Sequence, residues 1–106
     1  MINAVRREPF VLDILFDRDA NALRDFTLSF RQRGRTIIRK RKSDAEIAED
    51  GQRAYVELSK KETALFEAYD PVYAQVCAIL ADGEELHSET AEINVVDVLD
   101  AQEEEK

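Results

Sequence analysis

The chain has 106 residues, 44% of them apolar and 36% charged, with a formal net charge of −8, which fits one small domain with a heavily charged surface. No apolar run reaches the roughly 18 residues of a membrane span, and the segment opening at Met1 lacks the apolar core of a secretory signal. Cys77 is the one cysteine, so no disulfide can form within the chain, and cytoplasmic synthesis is expected.

Residues 10–16 (Phe-Val-Leu-Asp-Ile-Leu-Phe) are apolar nearly throughout and form the first strand candidate. A polar link at 17–22 follows. Over 23–32, Phe26, Leu28 and Phe30 alternate with Thr27, Ser29 and Arg31, the period of a strand with one buried face. Arg33-Gly34 then separates this strand from a second at 35–42, so the pair reads as an antiparallel hairpin. Residues 43–52 end in the turn signal Asp50-Gly51 and read as a loop with an optional short edge strand.

Residues 53–59 alternate again, with Ala54, Val56 and Leu58 inward. Ser59 and Glu62 have capping-box spacing, which predicts a helix of at most two turns over 60–68, ended by Asp70-Pro71. Residues 72–80 predict a central strand with Val72, Ala74, Val76, Ala78 and Leu80 on one face. Its other face, Tyr73, Gln75, Cys77 and Ile79, is unusually apolar for a solvated one. Asp82-Gly83 predicts a two-residue turn, and 84–96 the returning arm. The inward set of that arm slips between Leu86/Ser88 and Ala91/Ile93/Val95, which requires a bulge. The predicted fold is an all-β, antiparallel immunoglobulin-like sandwich of six to seven strands and one short helix. A small partly open barrel is the alternative. The domain is expected to span 1–99, followed by a solvated acidic tail at 100–106.

No catalytic constellation, phosphate-binding glycine loop or paired-cysteine metal motif occurs, so neither an enzyme nor a cofactor is indicated. His87 is the only histidine, flanked by Glu85 and Glu89 on its own strand face. A two-residue turn at 82–83 would set His87 opposite Ala78 and Cys77 opposite Ser88, leaving the imidazole and thiol on opposite faces. That register argues against a Cys–His pair. It leaves His87 without a metal-binding partner beyond its flanking glutamates.

Charge is the stronger clue. Residues 1–42 hold eleven Lys/Arg against five Asp/Glu (+6), and 43–106 hold four against eighteen (−14). Seven of the basic residues, Arg31, Arg33, Arg35, Arg39, Lys40, Arg41 and Lys42, fall in one acid-free stretch. Such a stripe can be a charged edge that discourages strand pairing, a docking surface for protein, or a track for a phosphate backbone. No aromatics are interleaved for base stacking, and the sequence pI of 4.7 is the reverse of a nucleic-acid binder's. Tyr73 and Ile79 add a possible apolar contact patch, unless the short helix or the N-terminal segment covers them.

Several segments in order carry a resemblance: Pro9-Phe10, Phe26–Gly34 (Phe-Thr-Leu-Ser-Phe-Arg-Gln-Arg-Gly), Leu58–Phe66, Pro71–Val76, Asp82-Gly83 and Val95–Leu99. Over about residues 9–99 the chain resembles small single-sandwich proteins encoded by tailed phages and by prophages of Gram-positive bacteria. It is more distantly similar to the N-terminal domain of phage baseplate upper proteins. The resemblance implies a tail or baseplate structural or adaptor protein, made in the bacterial cytoplasm and associated with the virion. Its partner would be another copy or another virion protein, and it implies no catalytic or ligand residues. Cys77 and the very basic 39–42 stretch depart from the pattern.

Overall fold

Side chains that alternate between apolar and polar bury one face of each strand, and two such faces must be packed together. The computed structural model describes residues 2–88 and 90–97. The acidic tail expected at 100–106 and the last residues of the expected domain lie outside the described residues. In chain order the strands are β1 (Ile2–Val5), β2 (Phe10–Leu15), β3 (Asp25–Gln32), β4 (Arg35–Arg41), β5 (Ala45–Ile47), β6 (Arg53–Leu58), β7 (Val72–Ile79), β8 (Glu85–His87) and β9 (Ala91–Val96). One helical turn, α1 (Lys60–Thr63), precedes β7.

The larger sheet runs β1-β9-β7-β3-β4, with β8 also paired to β7; the smaller runs β2-β6-β5. Among the described residues only β1 and β9 pair in parallel. The chain places β2 in the small layer, β3 and β4 in the large, β5 and β6 in the small, and β7 to β9 in the large. Read as strands B, C, C′, D, E, F and G, with G split into β8 and β9, this is an immunoglobulin-like sandwich. Phe26, Leu28, Phe30, Val72, Ile93 and Val95 of the large sheet form one core with Leu12, Ala54, Val56 and Leu58 of the small sheet. Phe66 enters that core beside Phe30, their ring centroids 6.2 Å apart.

The strand count exceeds the expected six to seven for two reasons. β1 is new: only Ala4 is fully buried in it, so four residues give little periodicity. The arm expected at 84–96 divides into β8 and β9. Cys77 pairs with His87, whereas Ala74 pairs with Ala91, so one extra residue lies between the two pairings. That is the expected bulge. The optional edge strand within 43–52 is β5.

The helix is shorter than the expected 60–68. Its capping box forms in both directions, with Ser59 Oγ accepting from Glu62 N and Glu62 Oε1 accepting from Ser59 N. After Thr63, the amides of Leu65 and Phe66 bond to carbonyls three residues back, and buried Phe66 takes the chain into the core.

Candidate functional site

Every second residue of the large sheet faces away from the core, and strand register assembles those residues into rows. One row joins Arg41, Thr27, Cys77 and His87; the next joins Arg39, Ser29 and Gln75. Thr36, Arg31, Tyr73 and Glu92 form the third, and Asp25, Ile79 and Glu85 the fourth. Two surfaces that are separate in the sequence, the basic hairpin and the Tyr73/Ile79 face, therefore meet on one sheet face. Neither the helical turn nor the N-terminal strand covers it: Tyr73 is 42% exposed, Gln75 is exposed, and Cys77 and Ile79 are partly so.

The seven basic residues do not act as one stripe. Arg33, in the turn, pairs with Asp70 and with Glu67 at 2.9 Å, and the Asp70 hydrogen bond and Glu67 charge raise its pKa. Lys40 points to the inner side and meets Glu62 at 2.7 Å. Burial opposes ionisation of Glu62, but Lys40 and the Ser59 amide outweigh it and hold its pKa below the ordinary value. Arg41 binds Asp25, lowering the carboxyl pKa while its own rises. Lys42 lies just past β4, where Nζ donates to the carbonyls of Asn21 and Leu23 at 3.2 and 2.7 Å. Arg31 donates to the Gly34 carbonyl at 2.9 Å but has no carboxylate partner among the described residues. Arg35 and Arg39 have none among the described residues either. β4 is an edge of its sheet, so the charged-edge reading of this segment holds in part.

Cys77 and His87 differ from the sequence expectation. Leu80 N bonds to Glu84 O, and Gly83 N closes a turn back to Leu80 O, with Gly83 at φ 89°. The loop thus has three residues, Ala81-Asp82-Gly83, with glycine in the left-handed position. One added loop residue shifts the register by one and puts His87 directly opposite Cys77 on the same face. Cys77 Sγ lies 3.5 Å from Glu85 Oε1 and 4.0 Å from His87 Nε2. Burial first, and then the Glu85 carboxylate, push the thiol pKa up. A raised thiol pKa is the reverse of what an activated nucleophile needs.

Three supporting residues escaped the sequence reading. Gln32, 3% exposed, donates Nε2 to the Glu67 and Asp70 carbonyls at 2.8 and 2.9 Å and accepts from Glu67 N at 2.7 Å. Arg6 donates to the carbonyls of Phe66 and Ala64 and pairs with Asp97. Buried Thr63 donates to the Glu8 carbonyl. The only available signal was polarity at inward positions of the alternation, and that shows for Gln32 alone.

No family model matches this chain, and no curated protein does. Among solved structures it is similar to the V domain of amphioxus IgVJ-C2, at 9% identity and TM-score 0.38, over 90% of this chain and 99% of that one. It is similar to Drosophila OTK extracellular domains 3–5, at 14% identity and TM-score 0.40, over 90% of this chain and 33% of that one. The amphioxus IgVJ-C2 molecule matches at 9% identity and TM-score 0.37, over 89% of this chain and 54% of that one. Among the described residues no helix is long and apolar enough to cross a membrane.

Proposed function

We propose that this protein is a non-enzymatic structural or adaptor module of a tailed phage or prophage, in the tail or baseplate region, and that it works by pairing with a second copy through the outer face of its large sheet. The resemblance over residues 9–99 supports the phage setting. The observation that carries the contact is the charge gradient across that face. Arg39 and Arg31 lie towards the β4 margin, Glu85 and Glu92 at the β8–β9 margin, and Tyr73 and Gln75 between them. A two-fold axis running along the strands sets the basic margin of one copy over the acidic margin of the other, so the face is self-complementary.

Five strands about 4.8 Å apart and about 25 Å long give a face of roughly 500 Å². A standard interface buries about 800 Å² per partner, so the association is weak and needs high concentration. Light scattering across a concentration series at low salt is expected to show dimers that dissociate as salt rises. Arg39→Glu and Glu92→Arg should each be monomeric alone, and their equimolar mixture should recover the dimer mass. Monomeric wild-type protein at the highest concentration, or no recovery on mixing, would overturn the self-pairing. Detection of the chain in purified particles from an induced lysogen tests the phage setting separately.

A further inference from the structure

The three-residue loop that corrects the register also assembles a mixed donor set. β7 supplies a thiol at Cys77, and β8 supplies an imidazole at His87 directly opposite and a carboxylate at Glu85 two residues earlier, on the same face. Cys77 Sγ, Glu85 Oε1 and His87 Nε2 are separated by 3.5, 4.0 and 3.9 Å. Zinc bond lengths of about 2.3 Å to sulfur and about 2.0–2.1 Å to nitrogen and oxygen place tetrahedral ligands roughly 3.3–3.6 Å apart. Rotamer adjustments of a few tenths of an ångström therefore bring all three atoms onto one ion. The strands fix the backbone positions in advance, so little chain ordering accompanies binding.

We infer that Cys77, Glu85 and His87 form a binding site for a borderline transition-metal cation of the zinc class. Sulfur and imidazole nitrogen disfavour calcium and magnesium, which take oxygen ligands. Three protein ligands on an open sheet face leave the fourth position to water, so the site is shallow and exchangeable. Binding replaces the S–H proton with a metal–sulfur bond and releases that proton to solvent. The site lies on the same sheet face as the proposed self-pairing and shares Glu85 with its acidic margin, but all three ligands come from one chain, so it forms in the monomer.

The test uses the intact protein at concentrations where scattering shows monomers, with Co²⁺ as a spectroscopic substitute and Zn²⁺ as competitor. The expected result is one ion per chain, a sulfur-to-cobalt charge-transfer band and the intense visible bands of tetrahedral cobalt, all removed by Zn²⁺. Cys77→Ser should abolish the charge-transfer band. His87→Gln and Glu85→Gln should each weaken binding about tenfold or more. All three positions are at the surface, and circular dichroism checks that each variant is folded. Absence of the charge-transfer band in wild type, or binding of equal strength in Cys77→Ser and His87→Gln, would overturn the site. The latter is what cations held loosely by an acidic surface would give.

Discussion

At the scale of single residues, Gln32 is a buried polar side chain that ties a strand to a distant loop. It sits at an inward position where alternation along β3 calls for an apolar residue, and it closes three hydrogen bonds to the backbone of the loop between α1 and β7. Gln32→Leu preserves bulk but strips partners from the Glu67 amide and from two carbonyls, a loss of about 2 kcal/mol. Urea unfolding is expected to show a clearly lowered midpoint for Gln32→Leu and almost none for Arg31→Leu, its exposed neighbour. Equal midpoints would mean that water replaces the amide. Cys77 and His87 teach the complementary lesson about legibility. Each was visible as chemistry in the sequence, but their juxtaposition depends on a single loop residue. Asp-Gly favours both a two-residue turn and the last two positions of a three-residue one, and the two choices send a side chain to opposite faces.

At the scale of elements, the clearest signals were those in which local chemistry and tertiary packing agree. The β3–β4 hairpin forms as read because Arg33 and Gly34 adopt φ of 56° and 76°, the paired positive values that a two-residue turn between twisted strands needs. The capping box forms because Ser59 and Glu62 answer each other's amides, although taking Asp70-Pro71 as the stop overstated the length of the helix that follows. Ser59→Ala should cost about 1 kcal/mol, or about 4 °C in Tm. The same turn sets a pH dependence. Glu62 ionises more readily in the fold than at its ordinary pKa of 4.5. Its contribution is therefore complete above that value and is lost as pH falls through the lower folded one. Wild type and Glu62→Gln, which differ in stability at pH 7, should converge in thermal midpoint as the pH is lowered from about 5 to 3. A difference that persisted across that window would assign the stability to packing of the side chain and not to its charge.

At the scale of the molecule, the sequence showed a charge asymmetry and the fold reassigns it. Glu62, Glu67 and Asp70 of the acidic half neutralise Lys40 and Arg33 of the basic one, and Asp25, within the basic half, neutralises Arg41. That internal pairing was illegible beforehand, because it joins residues up to 37 apart in the chain through contacts that exist only once the sheets have formed. Arg31, Arg35, Arg39 and Lys42 remain without a carboxylate partner among the described residues, Lys42 meeting only backbone carbonyls. The difference between seven cations and four can be measured. Each phosphate neutralised by a protein cation contributes about −0.9 to the slope of log affinity against log salt. Seven contacts would give a slope of about −6 and four about −4. Fluorescence anisotropy with a labelled duplex, titrated across salt, should show weak binding with a slope no steeper than about −4. Arg39→Glu should flatten that slope, and the double change Lys40→Gln/Glu62→Gln, which removes a matched ion pair with no change in net charge, should leave it unchanged. A slope near −6 would mean that the ion pairs open on the polyanion, and the hairpin would then be a nucleic-acid surface in place of a protein-contacting face.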